Sequence, residues 1–252
     1  MPKIELKPLP PKEAVKYFQN KGYRFTWHWW EMWQEDHHRA FTVAKVIRMD
    51  LLQDIREAVE QALKDGMPFS EFKKQLETIL KKKGWWGRVF DPERKEWYWA
   101  GTPWRLKTIF HVNTQVSYNV GRYRQMTDPD VLRHRPYWMY VHRPCKYPRP
   151  AHVALHGKVL PADDPFWNTY YPPNGWRCHC VVRSLSEYDL QRRGLKVQSG
   201  KEILDEAKQL GFEPNKIAPP EWQYNPGKKA FKPDLRKYDK KLVEQYKNVP
   251  QE

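Results

Sequence analysis

Every cysteine of this chain, and two histidines at helical spacing, fall in one stretch: Cys145, His152, His156, Cys178 and Cys180. His152 and His156 are four residues apart, so one helical turn would put both imidazoles on a single face. Cys178 and Cys180 are two apart, so on a strand their thiols share a face while Arg177 and His179 turn away. Two imidazoles and two thiolates are a set that Zn²⁺ binds tetrahedrally. His152, His156, Cys178 and Cys180 are therefore the expected ligands of one structural zinc, with Cys145 as an alternative ligand for either histidine. A single residue between the cysteines is tighter than the spacing usual in zinc knuckles. The same residues also read as small buried thiols beside locally hydrogen-bonded imidazoles. A Cys145–Cys178 disulfide is a third arrangement, disfavoured in a reducing compartment.

A thiol beside an imidazole is also the makings of a nucleophile, and Asp163-Asp164 near two histidines would suit a hydrolytic metal. The chain has no Gly-rich phosphate loop, no Gly-x-Ser-x-Gly and no His-Glu-x-x-His. Asp163-Asp164-Pro165 reads as a turn whose carboxylate caps the helix that follows. No catalytic residue is assigned, and the chain is not expected to be an enzyme.

The elements that must position these groups are legible in outline. A short helix is expected over residues 9–22, with proline at its entry and Gly22 at its end. An aromatic patch of Trp27, Trp29, Trp30 and Trp33 follows, then a helix over roughly residues 31–48. Leu52, Ile55, Val59 and Leu63 mark a helix closed by Gly66, and Phe69, Phe72, Leu76, Ile79 and Leu80 mark another closed by Gly84. A hairpin is expected around residues 97–99. Thr102-Pro103 is an N-cap with proline at the first helical position, opening a long helix through Leu106, Ile109, Phe110, Val116, Val120 and Tyr123. Residues 136–142 read as an aromatic strand and residues 178–184 as a second. Ser186 can cap a short helix reaching residue 193. Beyond Lys196 lie one weakly amphipathic piece (Ile203, Ala207, Leu210) and a Pro/Lys-rich tail. The fold class is α+β: a mostly helical N-terminal half with a long central helix, then a small mixed α/β C-terminal lobe stapled by zinc.

Composition bounds the rest. A chain of 252 residues with 40% hydrophobic residues and thirteen tryptophans can bury a sizeable core and is not disordered. No segment is apolar enough to span a bilayer and the N-terminus lacks a signal core, so a soluble, non-exported protein with no membrane contact is expected. The net charge of +15 favours polyanions as partners. Arg105, Lys107, Arg122, Arg124, Arg133 and Arg135 are the candidate nucleic-acid-binding residues, forming a basic stripe along and beyond the long helix. Such a stripe suits sequence-independent phosphate contact, although a charge run is commonly a solvated face. The four tryptophans could stack bases, but their position beside helices that need a core favours burial.

Taken together, the motifs resemble a known family. Arg149-Pro-Ala-His152, His156-Gly-Lys-Val-Leu-Pro161, Asp164-Pro-Phe-Trp167 and Tyr171-Pro-Pro-Asn-Gly-Trp-Arg-Cys178-His-Cys180 resemble the phage Mu F-like family of minor head, or head morphogenesis, proteins. Ala40-Phe-Thr-Val-Ala-Lys45, Gly84-Trp-Trp-Gly87 and the long helix with Asn113, Tyr118, Gly121 and Arg122 extend the resemblance to roughly residues 10–195. The chain is read as a helical N-terminal region over residues 1–101, a Mu F-like head morphogenesis domain over 102–195 and a basic, Pro/Lys-rich extension over 196–252 that the resemblance does not reach. The resemblance implies a virion component at the portal vertex or capsid interior, present in the host cytoplasm during assembly. The implied partners are portal and major capsid proteins and packaged double-stranded DNA, with no enzymatic activity. Two positions depart from the pattern: family members often carry an acid where this chain has Cys145, and Cys-Arg-Cys where it has Cys178-His179-Cys180. A free nucleic-acid-binding module and a metal-dependent hydrolase or toxin-like enzyme are the competing readings.

Overall fold

The computed structural model describes residues 11–34 and 36–229; the first residues of the expected N-terminal helix and the tail beyond residue 229 lie outside them. Apolar residues at i, i+3 and i+4 build the helical half. Helix α1 (Lys12–Gln19) buries Ala14, Tyr17 and Phe18. It is followed by the two-residue strand β1 (Gly22–Tyr23). After α2 (Asp36–Arg39), strand β2 (Ala40–Phe41) pairs with β1 in parallel. Helix α3 (Met49–Asp65) buries Leu52, Ile55, Val59 and Leu63, and ends on Gly66 in the left-handed region at φ 65°, where a side chain would be strained. Helix α4 (Phe69–Lys82) packs back on it through Phe72, Leu76 and Leu80. The antiparallel hairpin of β3 (Arg88–Asp91) and β4 (Glu96–Trp99) then leads into the long helix.

Helix α5 (Pro103–Met126) opens where expected: Thr102 Oγ1 accepts from Arg105 N at 3.2 Å, satisfying one free donor of the first turn. It buries residues on most of its circumference because it serves two cores. Leu106, Ile109 and Phe110 pack with α3 and α4, while Val116, Val120 and Met126 pack into the C-terminal lobe. Gly121 lets α1 approach closely, since a Cβ there would lie 2.9 Å from Ala14 N.

After α6 (Pro129–His134), the lobe is organised by a three-stranded antiparallel sheet in the order β6-β5-β7, made of β5 (Tyr137–Val141), β6 (Val159–Pro161) and β7 (Val181–Leu185). Strand β5 is central, with Trp138 opposite both Leu160 and Ser184. Its pleat divides its side chains: Trp138 and Tyr140 enter the main lobe core, whereas Met139 joins a smaller cluster with Val159, Leu185 and Leu190. Helices α7 (Pro150–Ala154), α8 (Phe166–Tyr170) and α9 (Glu187–Arg193) surround the sheet. The capping box at Ser186 forms as expected, with Asp189 N donating to Ser186 Oγ and Ser186 N to Asp189 Oδ2. Helix α10 (Gly200–Gln209), α11 (Pro214–Ile217) and the turn at Trp222 bury Ile203, Ala207, Ile217 and Trp222 in the same core, and α12 (Pro226–Lys229) packs on α5. The architecture is α+β, and no helix among the described residues is long and apolar enough to cross a membrane.

Three expectations are corrected. Residues 31–48 are not one helix but a 3₁₀ turn at Trp29–Glu31, the short α2 and strand β2. Phe41 and Val43 point to the core at a spacing of two, which is the extended period. Trp27 is buried, but Trp29, Trp30 and Trp33 are exposed. Glu31 closes a capping box on His28 and His28 stacks on Trp30 at 4.1 Å, which holds that turn at the surface. Finally, the second strand begins at Val181, so Cys178 and Cys180 sit in the turn before it, where Arg177 takes φ 57°.

Candidate metal centre

Three elements converge to build the site. Helix α7 carries His152, the turn ahead of β7 carries Cys178 and Cys180, and β5 runs out beside them at His142. The ligand atoms of His152, Cys178 and Cys180 all lie within 4.8 Å of one another, and all three residues are buried. His152 Nδ1 stands 3.6 Å from each sulfur. His142 Nδ1 stands 3.5 Å from Cys180 Sγ, on the solvent side of the group.

His152 is oriented by its other nitrogen. Its Nε2 lies 2.8 Å from the carbonyl oxygen of Ile217, an acceptor, so Nε2 carries the proton and Nδ1 offers its lone pair to the sulfurs. Helix α5 positions the cysteine turn by donating from Asn119 Nδ2 (3.2 Å) and Gln115 Nε2 (3.4 Å) to the Cys180 carbonyl. Tyr171 Oη donates to the Asn119 carbonyl at 3.1 Å, tying the preceding segment to the same helix. Asn174 Nδ2 donates to the Tyr170 carbonyl at 2.9 Å and to Tyr140 Oη at 3.3 Å. The frame thus fixes both backbone and ligand atoms.

The electrostatics suit a cation. Burial works against charge on Cys178, yet a hydrogen bond from the Cys180 thiol holds its thiol well below the usual range. The neighbouring Cys178 sulfur and burial together push the Cys180 thiol up. Burial and the nearby His152 lower the His142 pKa, keeping that imidazole neutral and able to ligate.

The structure redraws the expected ligand set. His156 lies beyond the end of α7, so the four-residue spacing does not put it on the face of His152; it is exposed and accepts from His142 N through Nδ1 at 3.2 Å. Cys145 is a half-buried free thiol outside the group. His142 stands beside the group without belonging to it; the alternation Trp138, Tyr140, His142 brings it to this side of the strand. Asp164 is a turn residue: its carboxylate accepts from Phe166 N (2.8 Å) and Gly200 N (3.0 Å), and no carboxylate of the described residues joins the group.

The six basic residues do not form one free stripe. Arg105 turns inward, donating to the carbonyls of Ala44, Trp99 and Ala100, and burial lowers its pKa to about 10. Arg122 donates to the Val182 carbonyl at 3.2 Å. Arg135 pairs with Asp189 at 2.9 Å, and Arg133 pairs with Asp130 at 3.4 Å. Arg124 is half-buried, and Lys107 is exposed.

Residues 53–183 match the family model described as Phage Mu protein F like protein. The putative capsid assembly protein F of Escherichia phage Mu is 44% identical over 259 residues, an alignment covering 94% of this chain and 58% of that protein. The Mu-like prophage FluMu F protein of Haemophilus influenzae is 41% identical over 229 residues, covering 83% of this chain and 55% of that protein. The chain therefore spans somewhat over half the length of these relatives. No solved structure matches it.

Proposed function

The chain belongs to the phage Mu protein F-like family, and from that premise we propose that it is a structural component of phage head morphogenesis. The observation that carries this reading is the 44% identity, across 94% of the chain, to a protein named for capsid assembly. The role is architectural and non-catalytic, and it is supported by a Cys/His group enclosed in a hydrogen-bonded frame with no carboxylate among the described ligands. Its place is the virion, at the portal vertex or capsid interior, with portal and major capsid proteins as neighbours. A net charge of +15 supports non-specific contact with packaged double-stranded DNA. Phage carrying a deletion of this coding region should yield few filled heads while still making capsid protein. Normal yields of filled, infectious heads from the deletion would overturn the reading.

Within that role the Cys/His group holds one zinc ion through His152, Cys178 and Cys180, with His142 in place of His156 as fourth ligand. Ordinary Zn–S and Zn–N bond lengths in a tetrahedron put sulfur and nitrogen ligands ~3.6 Å apart. The 3.6 Å from His152 Nδ1 to each sulfur support that fit for three ligands, as does the soft, thiolate-rich donor set; His142 Nδ1, 3.5 Å from Cys180 Sγ, would move in to complete it. When bound, the ion would cross-link α7 to the turn before β7 in a lobe of short elements.

A further inference from the structure

One face of α5 carries a pattern that the metal centre does not use. Lys107, His111, Gln115, Tyr118 and Arg122 recur at intervals of three and four, so they line one side of the helix over ~22 Å. None of them is buried. The C-terminal lobe brings further cations alongside this row. The rings of His111 and His179 meet edge to face at 5.0 Å, and Lys107, Arg177 and Arg143 lie close enough to His179 to act on it electrostatically. Toward the other end, Arg122 and Arg143 line one cleft with Gln115 and Tyr118, and Arg183 of β7 acts on Arg122 in the same way. Lys107, Arg122, Arg143, Arg177 and Arg183 thus form one positive face across α5, the cysteine turn, the segment after β5 and β7.

The fold gives these cations little to neutralise them. Elsewhere basic side chains are paired in place, as Arg24 is with Asp36, Lys83 with Asp54 and Arg135 with Asp189. Among the described residues, the side chains of Lys107, Arg143, Arg177 and Arg183 form neither an ion pair nor a hydrogen bond. Arg122 bonds the Val182 carbonyl through Nη1 and keeps further N–H donors. Glu13 lines the cleft too, but its carboxylate accepts from Gln125 Nε2 at 3.1 Å, and no carboxylate acts on His111, Arg122 or His179. Like charges gathered in this way repel one another until an anion covers them. Apart from Tyr118, 38% exposed, the groups on the face are charged or polar, so it lacks the apolar anchors of a protein–protein interface. Guanidinium groups predominate instead, and their donors match phosphate oxygens. The row on α5, ~22 Å long, covers about two-thirds of a turn of duplex DNA.

We propose that this face is the surface through which the chain contacts the phosphate backbone of double-stranded DNA, with Lys107, Arg122, Arg143, Arg177 and Arg183 meeting the phosphates. This rests on the reading that the chain meets packaged duplex DNA, and it gives that contact a place on the molecule. Arg105, Arg133 and Arg135 fall outside the face, their guanidinium groups engaged by carbonyls or carboxylates. Contacts of this kind hold a duplex without reading its bases.

Fluorescence anisotropy of a labelled duplex of ~30 base pairs and arbitrary sequence, titrated with the full chain at several salt concentrations, tests the proposal. Log affinity should fall against log salt with a slope of about −4 or steeper. The triple variant Lys107→Gln/Arg143→Gln/Arg183→Gln alters exposed side chains that have no partner to lose, so it should melt as the unaltered chain does. It should bind about tenfold or more weakly at ~0.1 M salt and flatten the slope by about 2–3. Lys201→Gln/Lys208→Gln/Lys216→Gln removes the same charge from exposed positions on α10 and α11 and should change both quantities far less. Equal losses in the two triple variants, or no loss in the first, would overturn the proposal and leave the DNA contact itself standing. No binding by the unaltered chain at low salt would overturn both. Tighter binding of poly-glutamate than of the duplex, lost in the first variant, would assign the face to an acidic protein and likewise overturn the proposal.

Discussion

His152 and His142 show how one imidazole is oriented by its surroundings and another is brought beside the cysteines by its position. His152 has its tautomer set by the Ile217 carbonyl, whereas His142 reaches the group from the end of β5 with one edge toward solvent. Zinc affinity should therefore fall by about tenfold or more in His142→Ala and hardly change in His156→Ala, measured by competition with a chromophoric chelator. An equal loss in both would restore the original pairing of His152 with His156. Lys21 carries a separate prediction. Its pKa is lowered from the ordinary 10.5 to about 7 by burial and by Arg56, with Tyr17, Phe18 and His37 also near it. Between these two values the unfolded chain binds more protons than the folded one, so stability rises with pH across that window. The gain approaches roughly 1 kcal/mol per pH unit, and below about pH 7 the full penalty remains. Denaturant titrations from pH 7 to 9 should show this slope in the native chain and lose most of it in Lys21→Met.

Helix α5 is the element on which both halves depend. Its first turns close the α3–α4 core, its last turns close the lobe, and its middle holds the Cys180 carbonyl through Asn119 and Gln115. Its contact with α1 leaves no room for a side chain at residue 121, so Gly121→Val should cost about 1–3 kcal/mol in thermal or denaturant unfolding. The course of this helix was legible because its signals are local: a Thr-Pro start and an apolar period of 3.6. The same holds for α3, with its Gly66 terminus, and for the Ser186 capping box. The stretch over residues 31–48 was not legible, because its fold is set by distant partners. Phe41 belongs to the α3–α4 core, and Trp27 is held by Glu96 and by the Arg94 guanidinium of the hairpin. The metal group divides in the same way. Two cysteines and one histidine could be picked out by residue type, but the approach of His142 to Cys180 is set by sheet topology rather than by spacing.

At the scale of the whole molecule, two cores share one helix, and the lobe that bears the family's motifs is built from short elements around a three-stranded sheet. Segments of five to seven residues such as α7, α8 and α9 do not stand alone; packing and cross-links hold them. A buried His/Cys/Cys group at the junction of α7 and β7 is well placed to be such a cross-link. The most direct test is the metal content and melting temperature of the purified chain, before and after chelation, alongside Cys178→Ser. The account predicts one equivalent of zinc per chain, a melting temperature that falls by several degrees when zinc is removed, and a metal-free Cys178→Ser that melts at the lower value from the start. A chain that carries well under one equivalent and melts at the same temperature with and without chelator would contradict it.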